Sequence, residues 1–538
     1  MTEQAITLET ITPYLRRNTV EVPDKVVHVC DGLALTNAEL YQRAIVRANA
    51  YTGLGVTHGD AVACFMPNSL EHAYCWAACA LLGAVHVPVN TLLRGEFLGH
   101  VLNTTECNVI VVAPTLLDRV LEIRQALPHL RVIVVVGGCD EAAAAAEPAG
   151  VVVTSTEELT AKHGESTSLV SEYVPAWHDT LVVIFTGGTT GPSKGVAISQ
   201  SYLIEQIKST QRVNDFNSSS TYYAPFPMYH ANAFMLSLIM PIVYQGSGVT
   251  RSAFSASAFW DECRTYHVTH VSLFGPIYLM IFNQPPRPDD ADNSIVCSIG
   301  YCPEEIWSGF EERFDLKILP VYALSECVMV SYFPHGDTVV RGTDGRPNPE
   351  FEVKILDDDG VAVPADEPGE ICLRPRRPGV MFDGYYKNPQ ATVEAFRDCW
   401  FHTGDIGRMS SEGLLTFVDR KADYVRRRGE NVSTYEVEQV ILKFDSVAEV
   451  AVHAVPSELA EDEIKACITT KPGQTLNHAT LLDFCASHMP YYAVPRFLEV
   501  VETLPKSPIG RVQKFELRKR GITADTWDAL AEGHIINR

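Results

Sequence analysis

Residues Leu181–Ser199 read LVVIFTGGTTGPSKGVAIS. A short apolar run, Leu181–Phe185, breaks off into Thr186, Gly187, Gly188, Thr189, Thr190 and Gly191, and the turn closes with Ser193, Lys194 and Gly195. A continuous apolar run of this length, bounded by turn residues, predicts a fully buried strand. Glycines after it let the backbone turn sharply and come close to a ligand. Successive N–H groups in such a turn can form an anion-binding nest. Threonine hydroxyls add donors and Lys194 adds a positive charge, so the segment suits a polyphosphate. It is not a Walker loop: that pattern needs GxxxxGK followed by Ser or Thr, whereas here Lys194 follows Ser193 and precedes Gly195. The competing reading is a flexible Gly/Thr connection between strands.

Outward from this segment, short apolar runs alternate with helical patterns. Val62–Met66, Val85–Val89, Val109–Ala113, Val132–Val136 and Val151–Thr154 read as strands like Leu181–Phe185, and Glu71–Leu82 and Leu116–Ala126 read as helices. Such alternation predicts an α/β architecture with largely parallel sheets. Ala142–Ala146 reads as a surface connection. From Gly345 to Val418 the pattern changes to short strands between turn signals (Asp357–Gly360, Pro368-Gly369, Glu412-Gly413), which predicts a β-rich subdomain over 345–418. The basic stretch after Asp419 precedes a fresh α/β pattern. The expected division is a large domain over 1–420 and a small, mobile α+β domain over 421–538. A chain of 538 residues is too long for a single core and fits this division.

Composition narrows the function classes. The formal net charge of -23 argues against a basic nucleic-acid-binding face. Fourteen cysteines carry no CxxC pair, so neither a zinc site nor a disulfide framework is expected, and a reducing cytoplasm fits. The start, MTEQAITLET, has no signal-peptide pattern. The apolar stretch from Tyr74 to Val89 is broken by Gly83, His86 and Pro88 and is too short to span a bilayer.

Taken with motifs elsewhere, the loop resembles the phosphate-binding signature of the adenylate-forming superfamily, which includes acyl-CoA synthetases, luciferases and peptide-synthetase adenylation domains. Two positions depart from it: Gly187 stands where serine is usual and Ser193 where proline is usual. Met66–Ser69, Gly83–Asn90, Pro227–His230, Tyr322–Glu326 (YALSE), Trp400–Asp405 (WFHTGD) and Asp419–Glu438 resemble the family's other motifs, in its order. Within the family the chain looks closest to carnitine/crotonobetaine-type acyl-CoA ligases. The resemblance implies a carboxylic acid, ATP, Mg²⁺ and coenzyme A as reactants and cofactors: an acyl-adenylate forms with release of pyrophosphate, and the acyl group passes to CoA with release of AMP. Fatty acid metabolism is within the implied range, and a homodimer is left open. An amine or carrier-protein acceptor is an alternative.

The resemblance also implies roles. Glu326 holds Mg²⁺ against the phosphates, as a carboxylate suits a hard cation, against a solvated turn glutamate as the plain reading. Thr186, Gly187, Gly188, Thr189, Thr190, Gly191 and Lys194 bind the phosphates, with Ser325 beside them. Tyr322 stacks on adenine, or is merely a core aromatic. Asp405 accepts from the ribose hydroxyls, and Arg420 helps fix ribose or phosphate. His230 lies near the reacting carboxylate. Phe274, Gly275 and Pro276 line the acyl pocket. Arg428, Gly429 and Glu430 meet the pantetheine of CoA, unless they form a plain β-turn.

One position breaks the pattern. In Leu504–Lys514 the family's catalytic lysine after glycine is replaced by Arg511, and the next lysine is Lys514. Arg511 does the work, or Lys514 reaches in, or adenylation is impaired and the chain is a non-catalytic relative. Arginine is a planar fork and lysine a compact point charge, so the exchange is not conservative. At the hinge, Ala422 stands where Asp or Lys is common.

Overall fold

The computed structural model describes residues 8–138, 150–186, 192–420, 424–428, 430–457, 461–505, 512 and 514–534; for 419, 420, 424, 431 and 515 the description is of the backbone. All six strands expected from the apolar runs are present, within a residue or so of their expected ends, and they lie in one sheet. In space the order is Val152–Ser155, Val132–Val135, Val109–Val112, Ala61–Phe65, Val85–Pro88 and Thr180–Thr186, all parallel, with Lys194–Ser199 folding back antiparallel at the edge. The carboxyl ends of these strands therefore face one way, and that edge is where an open parallel sheet places its ligands.

The helix expected over Glu71–Leu82 runs from Leu70 to Leu82; Ser69 caps its start by accepting from the His72 N–H, and left-handed Gly83 ends it. The helix expected over Leu116–Ala126 is instead three short pieces: a 3₁₀ turn at Pro114–Leu116, an α-helix at Leu117–Glu122 and a 3₁₀ turn at Arg124–Ala126. Pro128 disfavours helical geometry at Leu127, so the segment cannot lengthen. The connection expected at Ala142–Ala146 lies outside the described residues.

A second seven-stranded sheet has the order Lys317–Leu319, Cys297–Tyr301, His270–Phe274, Thr221–Tyr223, Ser247–Thr250, Val26–Cys30 and Leu33–Thr36. It is parallel except for the last hairpin strand. Against it packs a π-helical turn, Met235–Ile239, so closely that a Cβ on Gly248 would fall 1.7 Å from the Ser237 carbonyl oxygen. That oxygen accepts a hydrogen bond from buried His28 Nδ1 at 2.9 Å. π-turns free carbonyls from the regular ladder, and His28 satisfies this one.

The β-rich unit is antiparallel: Phe351–Leu356, Gly369–Pro375, Trp400–Met409 and Phe396–Arg397, with Leu415–Arg420 paired to Trp400–Met409. After residue 424 come a hairpin, Tyr424–Arg427 with Glu430–Ser433, then the helix Thr434–Ile441. A four-stranded sheet follows in the order Val447–Pro456, Asp462–Thr470, Phe497–Val500 and Trp527–Asp528. The fold is thus α/β, with a β-rich subdomain and a small α+β C-terminal part. One apolar cluster joins a face of the first sheet (Ala63, Ile110, Val183) to the C-terminal part (Val437, Ile468, Leu482). That burial seats the two against each other.

Candidate active site

The edge hairpin carries the polyphosphate candidates. Thr186 ends one strand and pairs with Lys194, which begins the next. Gly187, Gly188, Thr189, Thr190 and Gly191 lie outside the described residues. Beyond Lys194, the strand is flanked by the segment 383–386: the Tyr386 N–H donates to Gly195 O at 2.7 Å and the Ala197 N–H donates to Gly384 O at 3.1 Å. This delivers Tyr385 to the loop. Its hydroxyl donates to Glu326 Oε1 at 2.9 Å, and Lys194 Nζ sits 5.0 Å from its ring centroid. One tyrosine thus spans the loop lysine and the carboxylate expected to hold a cation. Ser325 is anchored beside Glu326, its carbonyl accepting from the buried Tyr202 hydroxyl at 2.8 Å.

Asp405, almost fully buried, accepts from the Tyr322 hydroxyl at 2.7 Å. Tyr322 is itself buried, its ring stacked on Phe417 at 5.9 Å. Asp405 sits across the strand pair from Arg420. YALSE and WFHTGD, some 80 residues apart, are therefore in direct contact.

His230 begins the helical turn at Ala231–Phe234. Its Nε2 lies 3.1 Å from Glu430 Oε1, and the neighbouring Tyr229 hydroxyl donates to the same oxygen at 3.3 Å. Burial and the Glu430 charge push the Tyr229 hydroxyl well above the usual phenol range, so it stays a donor. Glu430, expected at the thiol cofactor, and His230, expected at the acyl carboxylate, thus meet, lining a small cleft with Pro88, Asn90 and Phe185 from the carboxyl ends of the first sheet. Phe274 ends its strand of the second sheet, its ring 5.8 Å from that of Phe226.

Other expected residues are elsewhere or undescribed. Exposed Arg428 stacks over Tyr491 at 5.0 Å and takes φ 55° at its hairpin turn. Lys514 is held inside the C-terminal part, 2.8 Å from Thr434 Oγ1 and 2.8 Å from Glu438 Oε1. Arg511, Gly429 and Ala422 lie outside the described residues. Sequence reading missed Tyr385 and Phe417, whose local patterns are those of ordinary turn and strand residues. Only the segment 383–386 running beside the loop strand reveals Tyr385.

The model of the AMP-binding enzyme family matches residues 15–386, and that of the AMP-binding enzyme C-terminal domain matches 436–511. The chain therefore belongs to the AMP-binding enzyme family: it is an AMP-forming ligase of the acyl-CoA synthetase class. It is 30% identical over 501 residues to the crotonobetaine/carnitine–CoA ligase of Salmonella typhimurium, covering 91% of this chain and 94% of that one. Its fold is similar to the amide bond synthetase of Marinactinospora thermotolerans (TM-score 0.79, 22% identity, 94% of this chain and 99% of that one). It is likewise similar to the o-succinylbenzoate CoA synthetase of Bacillus subtilis (TM-score 0.79, 21% identity, 94% and 98%). Among the described residues no helix is long and apolar enough to cross a membrane.

Proposed function

We propose that this chain condenses a carboxylic acid with ATP to an acyl-adenylate and then transfers the acyl group to coenzyme A, releasing pyrophosphate and AMP. The observation that carries the reading is the junction at Tyr385, where the loop lysine and Glu326 share one tyrosine. A carboxylate is a poor acyl donor, and attack of its oxygen on the α-phosphorus makes a mixed anhydride with a good leaving group. Catalysis there is charge neutralisation and alignment. Lys194 and the loop donors would take the polyphosphate. Glu326, an oxygen donor oriented by Tyr385, suits Mg²⁺, which would neutralise phosphate charge when bound. Asp405 would take the ribose hydroxyls, with Tyr322 and Arg420 beside it. His230 would lie at the acyl carboxylate.

For the second step, Arg428–Glu430 would meet the incoming thiol cofactor, and the contact of Glu430 with His230 supports an arrangement suited to acyl transfer. We place the division between the large lobe and the C-terminal lobe near residue 420, with rotation about 420–423 exchanging the two steps; such closures often limit turnover. Coenzyme A as acceptor is favoured by the 30% identity to CoA ligases over most of both chains. Because Lys514 is bound to Glu438 and Thr434, we assign the adenylation cation to Arg511. Incubation with ATP, Mg²⁺, CoA and a panel of acids should yield AMP, pyrophosphate and a thioester. Release of ADP, or products only with an amine acceptor, would overturn the assignment.

A further inference from the structure

Cys64, His72 and His86 belong to no spaced motif; seven residues and then thirteen separate them. Two periodicities bring them together. The strands Ala61–Phe65 and Val85–Pro88 are parallel neighbours, with Val62 opposite His86 and Cys64 opposite Pro88. Side chains alternate along a strand, so Cys64 and His86 share the sheet face that carries Val62 and Met66 into the core. The helix Leu70–Leu82 packs on that face, and His72 lies in its first turn. Cys64 Sγ and one ring nitrogen of each histidine all lie within 4.8 Å of one another. His72 Nε2 and His86 Nε2 are 3.2 Å apart, and none of the three residues is more than 1% exposed.

Packing alone does not account for two imidazoles in an apolar cluster, the His86 ring lying 6.3 Å from that of Phe234. Only one proton fits between the facing Nε2 atoms: one N–H donates to the other's lone pair. The two Nδ1 atoms are then left with one N–H and one lone pair, and among the described residues neither has a hydrogen-bond partner. Orphaned buried polar atoms of this kind are exceptional and mark functional or ion-binding positions. Burial also keeps both rings neutral at pH 7, the form of imidazole that ligates metals.

Metal–nitrogen bonds of about 2.0–2.1 Å, in tetrahedral or trigonal geometry, set two ligating nitrogens about 3.3–3.6 Å apart, so the facing pair needs almost no movement. A thiolate with two imidazoles suits a soft or borderline ion, not Mg²⁺ or Ca²⁺. Charge then separates the candidates. Glu71, next to His72 in sequence, is paired with Arg47, whose Nη2 donates to it at 2.9 Å. The thiolate is thus the one anion of the donor set. A monovalent ion leaves the buried cluster neutral. Zn²⁺ leaves a net positive charge, which is costly away from water, and structural zinc takes a fourth ligand. Cys75, one turn along the helix from His72, instead accepts from the Tyr51 hydroxyl at 3.1 Å. We propose that Cys64, His72 and His86 bind one monovalent copper ion, which ties two strands of the first sheet to the helix packed on them. Binding displaces the Cys64 thiol proton to solvent and leaves each imidazole protonated at Nδ1, so one proton is released per ion.

The test uses the full chain with Cys139→Ser and Cys399→Ser throughout: Cys399 is the exposed cysteine among the described residues, and Cys139 lies outside them. Expressed in copper-supplemented medium and purified under argon, the chain should hold about one copper ion and keep it through dialysis against a Cu⁺ chelator, because all its ligands are buried. X-ray absorption at the copper edge should read one sulfur and two nitrogens. Cys64→Ala and His72→Leu should each lower the copper content at least about tenfold, since each removes one of three donors; Cys75→Ala should keep it. The copper-bound chain should melt several degrees above the copper-free one, a gap absent from Cys64→Ala. A chain that takes up no copper, copper that survives in Cys64→Ala, or zinc bound through two sulfurs with Cys75 recruited would overturn the assignment. The X-ray spectrum needs no core variant, so it decides even where a substitution unfolds the chain.

Discussion

Replacing Tyr322 with phenylalanine removes one oxygen from a buried junction and little else. The ring remains stacked on Phe417, so packing is kept, while Asp405 loses the donor that approaches its Oδ2 at 2.7 Å. Asp405 is only 3% exposed, so water does not readily replace that donor. A hydrogen bond to a charged group contributes about 1.5–3 kcal/mol, and the larger share of that figure applies when the acceptor stays buried. At about 1.4 kcal/mol per factor of ten, the junction stands to lose at least tenfold in some equilibrium. If Tyr322 aims the carboxylate at the ribose hydroxyls, the loss appears in nucleotide binding: the ATP dissociation constant, measured by calorimetry without acid, should rise about tenfold. The thermal midpoint should also fall by several degrees. With saturating ATP the turnover rate should stay within about threefold. An unchanged ATP affinity together with an unchanged midpoint would refute the reasoning, because the oxygen would then be idle in both states.

Three further outcomes follow from the structure. Burial lowers the imidazole of His28 to about 4 and that of His72 to about 3, and drives His86 down as well. The unfolded chain binds these protons from about pH 6.5 downward, so their contribution is whole above that pH and is lost as pH falls toward the folded values. Between pH 7 and 5 the cost in the metal-free chain is about 2 kcal/mol each for His28 and His72; a denaturant midpoint that stays flat over this window would contradict it. Gly248→Ala should destabilise the large lobe by more than about 3 kcal/mol, because its Cβ would meet the Ser237 carbonyl rather than a flexible side chain; thermal denaturation within a degree of wild type would show that the π-turn yields. Arg511→Ala should cut pyrophosphate release at least a hundredfold, whereas Lys514→Met should act on stability through Glu438 and change that release less than fivefold; the reverse order would move the adenylation cation to Lys514.

Much of this protein could be read along the chain, and the reason is the range of the forces involved. The parallel strands are legible because a strand buried on both faces must be apolar throughout, and the runs at Val109–Val112, Val132–Val135 and Thr180–Thr186 have few other uses. The phosphate loop is legible because backbone close to an anion needs glycine and hydroxyls in sequence. The failure at Leu116–Ala126 is local as well: helical periodicity outweighed the proline that follows. What the sequence by itself determined was therefore the strands of the first sheet, the helix after Ser69 and the order of the motifs.

Their pairing belongs to the tertiary structure. Tyr385 meets Glu326 because the segment 383–386 lies along the edge strand, a placement set by chain packing 59 residues away in sequence. Tyr322 meets Asp405 because two different sheets abut. The capping pattern Thr36–Glu39 closes into a box, whereas in Ser433–Glu436 the carboxylate takes the Ser193 N–H, since a carboxylate takes whichever N–H the surrounding fold leaves within reach. Local sequence sets what a side chain can bond; only the assembled chain decides which partner arrives, because those contacts join residues that share no local geometry.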